Sequence, residues 1–389
     1  MEEKTGTTKF SKKKKIKFFF ITLLFLLIVV IIISEILLYL FHYESSYDKL
    51  KGFELKKAKW WQCDSVSGPR YAANEITKAD SIFFKSINET WYYNRLKMVN
   101  KDGYHDKDEF NNISPDNDSL KILFAGDSFT WGASADVDSS YVDVFERDIK
   151  KNYPAVVWNT GIPATGTNHA LFTTKKYLPL QKSNYVILGF YVGNDFADNL
   201  LPFDDLVFYD QAFCFNFYDY DKNFKPFKIS KREAIKKATG SYPTEELNPL
   251  QKIFVKSRLI PFVSNLTERI ANRLSGRKKE VNEQEYNVTK EYLNQLNNYV
   301  KENNAELIVM VIPAWDDIKE KEFHYLNAVK ILKESSIKYF ETVDLYSEQD
   351  YLKNGGHWKN RGHVIAGHEL SKFLAQYITD KQQKSFKKN

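Results

Sequence analysis

The chain has 389 residues, 43% hydrophobic and 27% charged, with 16 Gly and 11 Pro, which excludes low-complexity and collagen-like architectures and leaves room for two to three structural units. Two cysteines, Cys63 and Cys214, exclude a disulfide scaffold and a multi-cysteine zinc site and allow at most one bridge. The net charge of +6 would suit nucleic acid if it were spread along the chain, but residues 1–17 carry +5 and residues 380–389 carry +3, so the body between them is near −2 and nucleic acid is not an expected partner.

The first basic tail, residues 1–17, runs straight into Phe18 to Phe41, which is apolar except for Thr22, Ser34, Glu35 and Tyr39. As a helix, residues 18–41 span about 36 Å against a hydrocarbon core of about 30 Å. Glu35 is the objection, because an acid at mid-bilayer costs about 2.5 to 3.5 kcal/mol on insertion scales. It lies in the distal third of the run, and the apolar stretch from Phe18 to Ile33, broken only by Thr22, compensates. A buried core helix is a poor alternative for a segment apolar on every face. A cleaved signal peptide is the closer rival, but the first alanine is Ala58, so no A-x-A cleavage site follows the run. The segment is therefore expected to be an uncleaved signal anchor contacting the lipid bilayer through residues 18–41. By the positive-inside rule the lysines stay cytoplasmic and the rest of a single-pass membrane protein lies outside.

Residues 42–118 form a mixed juxtamembrane extension with Trp60-Trp61 and Trp91-Tyr92-Tyr93. These aromatics suit an interfacial belt or ordinary packing against the next domain. Residues 119–379 are regular. Strands are expected at 120–125, 155–158, 185–191, 306–312 and, as an edge, 339–345. Helices are expected at 141–151, 168–178, 283–303, 322–333 and 362–378, and residues 380–389 form a second basic tail. Alternating strands and helices predict an α/β fold with a parallel sheet covered on both faces. The pattern is interrupted at about 196–280 by an insertion. Its segment 196–227 holds eleven Phe or Tyr residues, fitting a small local core or a lid and platform for a sugar or acyl chain.

In an open parallel sheet, ligands bind outside the carboxyl ends of the strands. Three strands end in polar turns that carry a glycine: Gly126-Asp127-Ser128, Asn159-Thr160-Gly161 and Gly193-Asn194-Asp195. Any one of them is ordinary turn chemistry, and Ser128 alone would be a helix N-cap. Together with a histidine-bearing loop near the end of the chain they suggest a serine nucleophile, its base and an oxyanion site. The sequence Gly126-Asp-Ser128-Phe-Thr130 lacks the last glycine of G-x-S-x-G, so an α/β-hydrolase nucleophile elbow does not fit. His363 and His368 are five apart, about 140° around a helix, and do not form a metal pair. No metal and no other cofactor is expected. Five N-x-[ST] sequons, at Asn88, Asn112, Asn117, Asn265 and Asn287, are unsurprising in so Asn-rich a chain.

These motifs resemble those of the SGNH hydrolases, also called GDSL-type lipases and esterases. The stretch Gly126-Asp127-Ser128-Phe129-Thr130-Trp131-Gly132 is similar to that family's first block, which implies Ser128 as nucleophile. Asn159-Thr160-Gly161 resembles the second block, implying that the Gly161 N–H helps hold the oxyanion. Gly193-Asn194-Asp195 resembles the third, implying the same of the Asn194 side chain. Asn354-Gly355-Gly356-His357-Trp358, with Gly362-His363 after it, resembles the block that supplies the histidine base, His357. Asn100-Lys101-Asp102-Gly103-Tyr104 is similar to a lead-in common in membrane-linked members. The resemblance covers residues 98–379 and implies an SGNH/flavodoxin-like three-layer fold, preceded here by one transmembrane helix.

Two positions depart from the family pattern. Val192 stands where the third block usually has glycine. Asn354 stands where the acid of the triad is usual, three before His357, and Gly355 occupies the other acidic place. An amide can orient an imidazole but supplies no charge to the cation that forms, and acid-to-amide replacement in a serine protease costs about 10⁴ in kcat. Asp350 or a backbone carbonyl are the other candidates for third member. Asp127 and Asp195 are expected to bond turn backbones. The resemblance implies an anchored extracytoplasmic serine esterase that removes acyl groups, acetyl among them, from an envelope or secreted glycan or another ester substrate. The alternatives are an O-acyltransferase to a polysaccharide using the same Ser-His site and a catalytically impaired envelope-binding protein.

Overall fold

The structure is a computed structural model that describes residues 12–48, 61–72, 98–107, 110, 118–136, 138–200, 218–239, 244–274, 281–320, 323–352 and 356–386. Its elements in chain order begin with α1 (Lys12–Leu40), β1 (Trp61–Asp64), β2 (Gly68–Tyr71), β3 (Leu120–Gly126), α2 (Ser128–Trp131), α3 (Tyr141–Ile149), β4 (Ala155–Asn159), α4 (Thr167–Gln181) and β5 (Tyr185–Tyr191). They continue with α5 (Asp195–Asp198), β6 (Tyr218–Tyr220), β7 (Pro226–Lys228), α6 (Lys231–Thr239), α7 (Pro249–Lys256), α8 (Leu259–Leu274), α9 (Glu283–Glu302) and β8 (Glu306–Ile312). The last are α10 (Trp315–Glu320), α11 (Phe323–Glu334), β9 (Lys338–Glu341) and α12 (Asn360–Phe386). The chain divides into two compact units, residues 1–55 with 235–278 and residues 56–234 with 279–389.

The larger unit is built on a five-stranded sheet in the order β4-β3-β5-β8-β9, with every neighbouring pair parallel. Counted along the chain, that is the 2-1-3-4-5 order of flavodoxin-like doubly wound folds, as the sequence led one to expect. The strands are apolar on both faces, and their residues alternate between two cores. Leu123, Ala125, Val186, Leu188, Val309 and Val311 pack under α4, α9 and α11. Ile122, Phe124, Ile187, Ile308, Met310 and Ile312 pack under α3 and α12. The apolar residues of the helices recur at matching spacing, as in Tyr292, Leu293, Leu296 and Val300 of α9 and Leu370, Leu374 and Ile378 of α12.

Two boundaries differ from expectation. The edge strand β9 stops at Glu341, because Thr342 turns its hydroxyl onto the carbonyl of Val311 at 2.7 Å and a short 3-10 turn follows at Val343–Leu345. The terminal helix reaches Phe386, well into the second basic stretch, where Lys381 pairs with Glu306 of β8 at 2.7 Å. The aromatic-rich insertion is described only in part. A small hairpin, β6–β7, carries Tyr218 stacked on Phe172, and residues 201–217, with Cys214, lie outside the described residues.

In the smaller unit α1 is a 29-residue helix, about 44 Å long at 1.5 Å per residue, with no buried residue. It meets the helices α7 and α8 at its distal end. Glu35 accepts hydrogen bonds from the backbone N–H of Arg258 at 2.9 Å and of Leu259 at 3.2 Å, and also from the hydroxyl of Ser257. The one acid in the apolar run thus caps the N-terminus of a helix, where a negative charge is favoured by the orphan N–H groups and the helix dipole.

Helices α3 and α12 approach closely at Gly367, where an added Cβ would lie 2.6 Å from the carbonyl oxygen of Tyr141 and 2.6 Å from Val144. Gly367→Ala gains about 1 kcal/mol of helix propensity but wedges the helix pair apart, an overpacking cost of about 1–3 kcal/mol. The expected result is a net loss of stability and a lower Tm in thermal unfolding. A rise in Tm would show that the helices separate without strain.

Candidate active site

The carboxyl end of β3 becomes helix within two residues. Gly126 has φ +151°, and a Cβ there would meet Thr130 Oγ1 at 2.3 Å and the carbonyl of Gly189 at 2.7 Å, so only glycine lets the chain turn this closely against β5. Asp127 caps the new helix, its Oδ1 accepting from the Phe129 N–H at 2.9 Å. Ser128 is then the first helical residue and is 8% exposed.

His357 arrives from the far end of the chain. Residues 351 and 358 form an antiparallel bridge, and the N–H of Leu352 donates to the carbonyl of His357 at 2.9 Å, which fixes the backbone that carries the imidazole. Its Nε2 lies 2.8 Å from Ser128 Oγ. The pair is brought together by Phe129, whose ring contacts His357 at 5.2 Å, Tyr191 at 4.3 Å and Trp358 at 4.9 Å between centroids. Burial holds the imidazole at about 4, below its ordinary 6.5, so it is neutral and able to accept a proton at neutral pH.

Asn354 and Gly355 lie outside the described residues. Asp350 is committed elsewhere. Its Oδ2 accepts from the N–H and hydroxyl of Ser347 at 2.8 and 2.9 Å, and its Oδ1 lies 3.3 Å from Arg361.

Asn194 opens the turn after β5, beside the end of β3. Burial drives the Asp127 carboxyl well above its ordinary range, and the hydrogen bond from the Phe129 N–H holds it back in part. Asp195, 2% exposed, accepts from the Tyr191 N–H at 3.1 Å and is raised by burial and by the nearby charge of Asp127. Both acids therefore bond turn backbones. Burial raises both carboxyls, and the charge of Asp127 raises Asp195 further.

Gly161 follows the end of β4, and its N–H donates to Asn159 Oδ1 at 3.0 Å. An oxyanion would have to share that donor. The same Asn159 side chain donates from Nδ2 to the carbonyl of Thr130 at 2.9 Å, and its own N–H donates to Asp106 at 2.7 Å. Asn159 thus fastens the end of β4 to the helix that bears Ser128. Its sequence signal, an Asn at a strand end, is indistinguishable from ordinary turn chemistry. The lead-in segment supports the same helix. Gly103 accepts from the Tyr71 N–H at 2.9 Å, and Tyr71 stacks on Trp131 with centroids 5.7 Å apart. His363 bonds the carbonyl of Ala133 at 2.8 Å and His368 pairs with Asp148, so both are helix residues with packing partners.

No family model and no curated protein matches the sequence. Solved structures do resemble the fold. An esterase from Pseudoalteromonas sp. is 10% identical, with 67% of this chain and 100% of that one covered at a TM-score of 0.38. The lipase/acylhydrolase from Enterococcus faecalis is 14% identical, with 66% and 95% covered at 0.37. An acetylxylan esterase from Geobacillus stearothermophilus is 14% identical, with 66% and 95% covered at 0.37. At such distance the chemistry rests on the site's own geometry.

Two outcomes are expected. With a neutral imidazole as base, and no carboxylate among the described residues hydrogen-bonded to it, kcat/KM for an aryl acetate should hold to about pH 5 and fall along an acid limb near pH 4; a limb near 6.5 would mean that a carboxylate reaches the ring. Asn159→Ala leaves the Thr130 carbonyl and the Gly161 N–H unpaired, at about 1–3 kcal/mol of stability. It should slow Ser128 acylation by about 10-fold or more as the nucleophile helix shifts, read by labelling rate and chemical denaturation.

Proposed function

We propose that the chain is a membrane-anchored serine esterase of the SGNH type, acting through an acyl-Ser128 intermediate. The observation that carries this reading is the 2.8 Å contact between Ser128 Oγ and a neutral His357 Nε2 at the carboxyl end of a parallel sheet. His357 takes the Ser128 proton as Oγ attacks the ester carbonyl. The oxyanion forms beside the Asn194 amide and the N–H groups of Ser128 and Gly161, where each donor is worth about 2.7 to 4 kcal/mol in comparable sites. The leaving alcohol takes the proton from the imidazolium, and water, activated by the same ring, releases the acid.

The substrate proposed is an acylated glycan of the envelope or a secreted polysaccharide. The acyl group proposed is a small one such as acetyl. Helix α1, long and apolar enough to cross a bilayer, would hold the enzyme at the membrane with residues 1–17 cytoplasmic and the Ser128 domain outside.

A fluorophosphonate probe should label the wild-type chain and not Ser128→Ala, and turnover of aryl acetate should be lost with the label. A wild-type chain that takes no label and cleaves no aryl ester would leave a binding protein in place of an enzyme. Acyl transfer to an added oligosaccharide, at the expense of free acid, would make it a transferase using the same acyl-serine.

A further inference from the structure

Helices α7 and α8 leave a continuous apolar face uncovered. On α7, Ile253 is 67% and Phe254 65% exposed, and on α8, Ile260, Val263, Leu266 and Ile270 are 52%, 46%, 44% and 47% exposed. The four on α8 are three, three and four residues apart, which places them along one side of the helix. A face of this kind on an ordinary soluble unit would be an aggregation hazard, so something covers it.

What covers it follows from where the helices are tied. The first turn of α8 is held by Glu35, about 26 Å along α1 from Phe18. That is the distance at which a span entering at Phe18 approaches the opposite edge of a hydrocarbon core about 30 Å thick. The attachment continues outward from there. Tyr43 packs edge-on against Phe262 at 5.6 Å and accepts at its hydroxyl from Asn265 at 2.8 Å. Arg258 pairs with Asp48 at 2.8 Å and lies 5.0 Å from the ring of Tyr39, and Lys256 lies 5.0 Å from the ring of Tyr47. Tyrosines with Lys and Arg at the end of an apolar span are the residues of a membrane interface. An amphipathic helix fixed at that depth presents its apolar side to acyl chains and its polar side to headgroups.

We propose that α7 and α8 lie in the plane of the bilayer, at the interface where α1 leaves it, with Ile253, Phe254, Ile260, Val263, Leu266 and Ile270 turned into the lipid. The proposal rests on the reading of α1 as a membrane span. Glu35 then fixes the position of the in-plane pair, because its carboxylate caps α8 at the edge of the hydrocarbon and so sets its depth.

The test uses the full chain with Cys63 and Cys214 replaced by Ser, reconstituted at one copy per lipid nanodisc. An environment-sensitive fluorophore is attached at single cysteines introduced as Phe25→Cys, Ile253→Cys, Leu266→Cys and Ser264→Cys. The expected pattern is strong quenching at 253 and 266 by nitroxides carried high on the acyl chain, at least about 3-fold above that at 264, while aqueous iodide quenches 264 best and the label at 25 reports the bilayer centre. Iodide quenching at 253 and 266 equal to that at 264, with 25 still deep, would overturn the in-plane helices and leave the anchor standing. An aqueous signal at 25 as well would overturn the anchor, and the proposal with it. Protection at 253 and 266 that appears only with two copies per disc would assign the face to a contact between chains and overturn the lipid assignment.

Discussion

The site depends on one close approach, where β3 turns into α2 against β5 with no side chain at Gly126 to keep them apart. The sheet order reverses between these two strands, so their carboxyl ends border the crevice in which doubly wound folds bind ligands. The tight turn delivers Ser128 to that crevice as the first residue of a helix, and the next strand delivers Asn194 beside it. Asn159 fixes the third strand end to the same helix through the Thr130 carbonyl. Widening the turn by one methyl group would move Ser128, its cap Asp127 and the Thr130 carbonyl that Asn159 holds, because all of them belong to the backbone of residues 126–131.

The electrostatics are those of a dry site with little charge. Phe129 and Trp358 desolvate His357, and depressing an imidazole from 6.5 to about 4 corresponds to about 3 kcal/mol against forming the imidazolium. In a full triad a carboxylate returns that energy. Here Asp350 is held by Ser347 and Arg361, and the place usual for the acid holds Asn354. A base so hard to protonate remains competent in acid, and its transition state carries the desolvation cost, a combination that favours a slow enzyme over a dead one. The buried Asp127 and Asp195 hold backbone N–H groups, those of Phe129 and Tyr191, and burial disfavours the charged form of both.

The legible parts of the sequence were those where a single physical rule dominates. Apolar runs such as Ile308–Ile312 are strands because both faces are buried, and the polar glycine turns at their ends mark the carboxyl edge of the sheet. Ser128 and His357 were legible through motif and position, 229 residues apart in sequence and in hydrogen-bond contact in the fold. The engagement of the Gly161 N–H by Asn159 was not legible, since an Asx turn and an oxyanion donor use the same residues in the same order. The end of β9 escaped because one hydroxyl, that of Thr342, outweighs the strand propensity of the residues that follow it.

Glu35 shows how a local violation points to a device. Judged by hydropathy alone it is a defect in an otherwise uninterrupted apolar segment, and the only compensation visible in sequence is the greasiness of its neighbours. In the structure its partners come from residues 257–259, more than 200 positions away. A carboxylate that receives the first N–H groups of a helix is solvated by the protein, so much of the penalty of placing it near hydrocarbon is removed before the bilayer is considered. Glu35 and α8 therefore explain each other: the helix gives the charge N–H partners, and the charge satisfies the helix's first turn.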